Sequence, residues 1–278
     1  MKKKKVSLSK VILNVVFFVL AAIWWLPLAW TVIVSFKPLG TIVYDITKWF
    51  DPPYTLANYY YVFTNSQSDM PLWLFNSFFV AGVSTILVVA LSLLAAFSFS
   101  RFRYRGQKVM FWVIMAGMMI PFQSLLIPIY ILFRNMGLLN TYLALILPGL
   151  GSSFGVILLK QFIDGLPEAL FDAAKIDGCK SWRVLVNIII PLTRPAIASL
   201  IIFIFLQKWN EFMWPFISIT KQELMTIPVG IVFFRGQYER DIAYSMAANV
   251  VAGLPALILF FIFQKQIVKG IAFSGIKD

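Results

Sequence analysis

Six mainly apolar stretches, each about twenty residues or longer, constrain this chain more than anything else in it. Water is absent from hydrocarbon, so a crossing segment must bond its own backbone, and a chain of such segments folds as helices of about 20 residues. The stretches fall at residues 11–36, 73–100, 109–133, 142–163, 196–219 and 243–267. Composition supports the same reading. The chain is 60% hydrophobic and 13% charged, against about 45–50% and 25% in soluble domains, too few polar groups to coat a water-facing globule. The expected fold class is an all-α polytopic membrane protein with six transmembrane helices. Residues 1–10 form a basic N-terminal segment and residues 11–278 a single transmembrane domain. The lysines at 2–5 ahead of an apolar run resemble a secretory signal, but the run is too long. It also continues past Ala21-Ala22 into Ile23-Trp24-Trp25 rather than a cleavage site, so it is expected to stay as the first span.

Basic residues then set the orientation. One set of alternating segments carries Lys2–Lys5 and Lys10, then Arg101, Arg103, Arg105 and Lys108, then Lys160, Lys175, Lys180, Arg183 and Arg194, then Lys265, Lys269 and Lys277. The other carries Lys37, Lys48, Arg134, Lys221, Arg235 and Arg240. The first set is expected to face the cytoplasm, with both termini. Acidic residues balance the outer set and leave the whole net charge of +12 inside. The charge therefore reads as topology, with attraction to anionic membrane lipid as a by-product. No nucleic-acid module accompanies it, and no nucleic-acid partner is expected.

The chain has no histidine and one cysteine, Cys179. Imidazole-based catalysis, histidine metal sites and internal disulfides are therefore excluded. Gly151-Ser152-Ser153-Phe154-Gly155 fits the Gly-x-Ser-x-Gly pattern of hydrolases but has neither a histidine base nor a preceding strand. Gly270 and Gly275 have phosphate-loop spacing, yet Ile276 stands where the lysine must follow. No catalytic residues, metal ligands or cofactor are assigned to this chain. Internal repeats are not apparent, which argues against a secondary transporter built from them. So does Glu211, the one acidic residue firmly inside a span.

The segment from 160 to 195 is the longest cytoplasmic one, and it is patterned. Pro167 suits a first helical turn, Glu168 the positive end of the helix dipole, and Gly178 a left-handed cap, so a short helix is expected from about 167 to 177. Glu168, Asp172 and Lys175 fall on one face, with Ala169, Leu170, Ala173 and Ala174 on another. A second helix is expected from Ser181, as N-cap, to Ile190, ended by Pro191.

Asp172-Ala173-Ala174, three residues, Gly178, nine residues, then Ile188-Ile189-Ile190-Pro191 closely resembles the EAA loop of ABC importer permeases, in the carbohydrate branch of the maltose/maltodextrin type. Asp172 stands where glutamate is usual and Ile190 where leucine is usual. Similar runs are Ser35-Phe36-Lys37-Pro38, Ile120-Pro121-Phe122-Gln123, Ile127-Pro128-Ile129-Tyr130, Gly137-Leu138-Leu139-Asn140-Thr141, Trp209-Asn210-Glu211-Phe212, Ile227-Pro228-Val229-Gly230 and the tail from Gln264 to Gly275. The resemblance implies a type I ABC importer permease fold in the cytoplasmic membrane of a prokaryote. It implies an EAA coupling loop at about 164–195 whose helix seats in a cytoplasmic ATPase, through Glu168, Ala169, Asp172, Ala173, Ala174, Lys175, Asp177 and Gly178. The implied partners are a homologous second permease, two ATP-binding subunits that hold the ATP and magnesium, and an extracytoplasmic sugar-binding protein.

Polar residues within spans are expensive and mark function. The fifth stretch holds Gln207, Lys208, Asn210 and Glu211, with Lys208 and Glu211 spaced to pair on one helix face. The substrate-pathway candidates are Trp209, Asn210, Glu211, Gln123 and Asn249. The same residues fit a polar clamp between helices with an interfacial tryptophan belt. Gly149, Gly151 and Gly155 read as close helix packing or a hinge. The outer segments 38–71 and 221–241 are candidate contacts for the binding protein. The solute expected is a carbohydrate, with glycerol phosphate or another polyol-like solute as the alternative.

Overall fold

The computed structural model describes residues 8–41, 45–65, 68–237 and 242–275. Lys2–Lys5, Arg240, Ile276 and Lys277, named above, lie outside the described residues. Every regular element among those described is helical. They are α1 (Leu8–Ser35), α2 (Ala57–Thr64), α3 (Met70–Arg101), α4 (Gln107–Gly117), α5 (Phe122–Asn135), α6 (Tyr142–Ile146), α7 (Ser153–Asp164), α8 (Glu168–Ile176), α9 (Ser181–Leu192), α10 (Arg194–Trp209), α11 (Met213–Ser218), α12 (Ile227–Gln237) and α13 (Ile242–Gly275).

Three of the six apolar stretches are unbroken helices long and apolar enough to cross a bilayer, within α1, α3 and α13. The other three are interrupted, each where the sequence removes a helical hydrogen bond or favours another conformation. The third stretch bends by 98° between α4 and α5, where Pro121 sits extended at ψ 131° and a proline disfavours helical backbone at the residue before it. The fourth is cut between α6 and α7 at Pro148-Gly149, where Gly149 takes φ +90°. The fifth breaks at Asn210, leaving α11 as a separate turn. Pro27 and Pro255, by contrast, lie inside α1 and α13.

Within the stretch expected to form one transmembrane domain, contacts group into two compact units: residues up to Met70 with Ile231–Leu254, and Pro71–Gly230 with the residues from Pro255 onward. In the first unit the Ser35-Phe36-Lys37-Pro38 run is a buried turn. Lys37 is 2% exposed; its Nζ donates to the Asp51 carbonyl and lies 4.5 Å from the Tyr54 ring centroid. Asn58 Nδ2 donates to the Ser35 and Lys37 carbonyls, both at 2.8 Å. Upstream, the crossing window of α1 has none of its residues buried. An apolar helix with no covered face requires lipid or another chain around it.

The second unit is built around one apolar cluster. Val88, Leu93, Ala96 and Phe97 of α3 meet Leu159 and Ile163 of α7, Phe171 of α8, Leu185 and Ile189 of α9, and Ala196, Leu200 and Ile204 of α10. Helix α7 enters this cluster closely because residue 155 is glycine: a Cβ there would stand 2.5 Å from Ser92 Oγ and 3.3 Å from Leu200 Cδ2. Of the glycines read as packing or hinge, Gly155 is thus the close-packing position.

Candidate functional site

Helix α8 is the expected short helix of the 160–195 segment, running one residue shorter at each end. Its C-terminus is a complete Schellman cap: the Cys179 amide donates to the Ala174 carbonyl at 2.9 Å and the Gly178 amide to the Lys175 carbonyl at 3.0 Å, with Gly178 at φ +67°. The face that α8 buries is set by Phe171 and Ala174, at 7% and 4% exposure. Of the four residues grouped on one face above, Ala174 is buried whereas Ala169, Leu170 and Ala173 are exposed; Ala169 and Ala173 stand one turn apart, and Ile176 continues their ridge at 87% exposure. Glu168, Asp172, Lys175, Asp177 and Gly178 are also exposed. Asp172 and Lys175 pair at 3.4 Å; so open a pair stabilises little. The loop therefore presents a small-residue ridge flanked by charges, on a helix fixed from behind by an aromatic anchor.

The second helix differs from expectation at both ends. Its N-cap is Lys180, and Ser181 makes no capping bond. Pro191 does not end it. Residues Leu185–Ile189 form a π-turn, whose wider winding moves the carbonyl that a proline ring four residues on would strike. The helix stops at Leu192, and buried Thr193 bonds back from Oγ1 to the Ile189 carbonyl at 2.7 Å. The chain then turns by 79° into α10.

A second feature is a cavity of about 390 Å³ lined by Phe122, Gln123, Pro148, Gly149, Gly151, Ser152, Ile204, Gln207, Lys208 and Glu211. The break between α6 and α7 opens it, and Lys208 bridges it. Lys208 Nζ donates to Glu211 Oε2 at 2.8 Å and to the Pro148 carbonyl at 3.2 Å. The Lys208 and Glu211 side chains are 8% and 20% exposed, so the pair is formed at the spacing anticipated from the sequence. Of the pathway candidates, the structure brings Gln123 and Glu211 to this cavity. Trp209 is 2% exposed and packs against Phe78 and Phe205, with ring centroids at 4.7 and 6.0 Å. Asn210 bonds back to the Leu206 carbonyl at 2.8 Å and does not line it. Asn249 is exposed and belongs to the other compact unit. Trp214 is fully buried in a small cluster with Phe133 and Ala144, its indole donating to the Ala144 carbonyl at 2.7 Å.

Sequence reading missed a latch at the N-terminal end of α3. Trp73 Nε1 donates to the Gln222 carbonyl at 2.9 Å, and Asn76 Nδ2 donates to the carbonyls of Glu223 and Met225, each at 2.9 Å. Tyr142 donates its hydroxyl hydrogen to Asn76 Oδ1 at 2.7 Å, which fixes the amide so that its nitrogen faces the loop. Ser77 Oγ accepts from the Ile227 amide at 2.7 Å. Asn140, itself left-handed at φ 59°, accepts from the amides of Thr220 at 2.6 Å and Lys221 at 3.1 Å. These residues hold the start of the 221–241 segment, as far as residue 227. Their partners lie 66 to 150 residues away, beyond the reach of any local pattern. Arg101 also escaped notice except as a unit of charge.

The sequence pattern of the family described as binding-protein-dependent transport system inner membrane component matches residues 88–273. The chain is 31% identical over 279 residues, covering 100% of both chains, to the arabinooligosaccharides transport system permease protein AraQ of Halalkalibacterium halodurans. It is 31% identical to the trehalose/maltose transport system permease protein MalG of Thermococcus litoralis, over 97% of this chain and 98% of that one. Among solved structures, it superposes with a TM-score of 0.80 on a chain of a bacterial ABC transporter involved in the import of the acidic polysaccharide alginate, covering 95% of this chain and 99% of that chain at 20% identity. At that identity the likeness concerns the fold.

Proposed function

The chain belongs to the family of binding-protein-dependent transport system inner membrane components, and from that premise we propose that it is the permease subunit of an ATP-driven importer that moves a carbohydrate, most simply an oligosaccharide, into the cytoplasm. The observation that carries the reading is α8: a capped helix held from behind by Phe171 and exposing Glu168, Ala169, Asp172, Ala173, Lys175 and Asp177. In this reading the helix seats in an ATPase subunit, with ATP and magnesium held there. A homologous permease covers the apolar flanks left bare here, and a sugar-binding protein delivers solute from outside. ATP-driven approach of the two ATPase subunits displaces α8, and the permease pair alternates between facing inward and facing outward.

The experiment is reconstitution with an ATPase subunit and a binding protein in vesicles, reading uptake of labelled arabino-, malto- and lacto-type oligosaccharides beside glycerol phosphate. Uptake is expected to need ATP inside the cytoplasmic compartment and to survive collapse of ion gradients. Uptake that persists without ATP and vanishes with the gradient would establish a secondary transporter instead. Competition by glycerol phosphate but not by the sugars would move the solute to the polyol-like alternative.

The cavity around Gln123, Gln207 and Glu211 is proposed as a station on the solute path. Its polar lining provides donors and acceptors for hydroxyl groups, and the paired charges leave no net field to select an ionic solute. Removing one partner leaves the other charge buried, so Lys208→Met or Glu211→Gln alone is expected to cost about 3 kcal/mol of stability. The double variant Lys208→Met with Glu211→Gln should recover most of that loss yet import with a raised KM. Recovery of stability with an unchanged KM would reduce the pair to a clamp between helices.

A further inference from the structure

We infer that Arg101 is the positioning residue that ties the motion of α8 to the membrane-spanning helices; the inference rests on the importer reading. Arg101 is the last residue of α3. Its Nη2 donates to the carbonyl of Ile163 at 2.7 Å, in the last turn of α7. Its guanidinium carbon stands 3.4 Å from the centroid of the Phe171 ring, the buried anchor of α8. One planar cation thus touches three elements at once, at the point where the exposed helix meets the apolar cluster.

Each contact has a physical reason. The Ile163 carbonyl accepts from the Leu166 amide at 3.2 Å, keeps a second lone pair for Arg101, and lies at the negative end of the α7 dipole, where a cation is favoured. The face of an aromatic ring attracts a guanidinium, more strongly where water is excluded. Lysine supplies charge but neither the flat stacking surface nor the fork geometry. Gln107 completes the corner, donating from Nε2 to the carbonyls of Phe99 at 2.9 Å and Phe102 at 2.8 Å, which closes the end of α3 around Arg101. None of the ion pairs among the described residues includes Arg101. Its Nε is buried without a hydrogen-bond partner.

The consequence concerns what an apolar cluster does under load. Phe171 belongs to the apolar cluster built from α3, α7, α9 and α10, and apolar contacts are non-directional, so a displaced ring can slide among them. The carbonyl bond and the ring stack are directional. With Arg101 in place, displacement of α8 moves the ends of α3 and α7 together. Without it, α8 still packs and still docks, but its movement dissipates in the cluster.

The test uses the complete complex, reconstituted with ATPase and binding protein, and reads ATP hydrolysed per molecule of maltotriose or arabinotriose imported, whichever the wild-type complex takes up. Arg101→Ala is expected to assemble in normal yield and hydrolyse ATP near the wild-type rate while importing about tenfold less, the scale of lost coupling contacts. Arg101→Lys should fall between. Phe171→Leu should reproduce the same uncoupling, and combining it with Arg101→Ala should add little. A parallel fall in hydrolysis, import and assembled complex would make Arg101 merely structural and overturn the inference, as would unchanged import. A wild-type complex that imports without ATP would instead remove the premise, whatever the variants do.

Discussion

Replacing Gly178 by aspartate is expected to abolish solute uptake while leaving the protein folded, inserted and present at normal level. Gly178 sits at φ +67°, and a Cβ built on it meets nothing within 4 Å. The only cost inside this chain is the left-handed backbone, about 1–2 kcal/mol for an ordinary residue and less for asparagine or aspartate, which visit that region routinely. Space that is empty in the free chain is, in the importer reading, space into which the ATPase surface comes. A carboxylate buried there without a partner costs about 3–5 kcal/mol, enough to reduce docking by at least about a hundredfold. A three-variant series separates docking from capping. If docking decides, uptake falls most in Gly178→Asp, next in Gly178→Asn and least in Gly178→Ala. If backbone strain decides, alanine is the worst. Uptake assays alongside pull-down of the ATPase subunit read both orders.

Gly230→Ala is expected to act in the opposite way, through the fold itself. A Cβ at residue 230 would stand 2.3 Å from Cδ2 and Cε3 of Trp73 and 2.9 Å from its Cγ. The ring has no room to withdraw, because Trp73 is fully buried and its Nε1 is committed to the Gln222 carbonyl. Overpacking of this kind costs about 3 kcal/mol, and here it also strains the latch that holds residues 222–227. Thermal unfolding in detergent should show a large drop for Gly230→Ala and none for Gly82→Ala, where a Cβ again meets nothing within 4 Å. Trimming the ring with Trp73→Leu should restore part of the loss in the double variant. Wild-type stability of Gly230→Ala would mean that the ring and the α12 backbone are not in contact.

What could be read in the sequence follows the range of the forces involved. The α8 helix, its glycine cap and the Lys208–Glu211 pair rest on spacings of a few residues, and sequence spacing contains that information. The broken spans were less legible. Pro121 and Pro148-Gly149 interrupt helices, whereas Pro27, Pro191 and Pro255 are accommodated, Pro191 by the π-turn before it. Which outcome a proline produces depends on the surrounding packing. Trp209 shows the limit most plainly: its position beside Asn210 and Glu211 makes it a pathway candidate, but its ring is covered by Phe78 of α3, more than a hundred residues earlier, as well as by Phe205 one turn before it. Trp73, Asn76 and Arg101 act through such distant partners and stand in no local motif; Asn140 lies in the Gly137–Thr141 run, but nothing in that run says that it holds Thr220 and Lys221.

The hydrogen bonds that Trp73, Asn76 and Ser77 make to residues 222–227 go to main chain. Trp73 and Asn76 bond to the carbonyls of Gln222, Glu223 and Met225, and Ser77 to the amide of Ile227. The side chains of Lys221 and Glu223 point away, exposed. Carbonyl and amide groups are the same whatever residue carries them, so mutations at these two positions leave the attachment intact. A lineage can therefore rewrite the exposed side chains of this loop without loosening its anchorage.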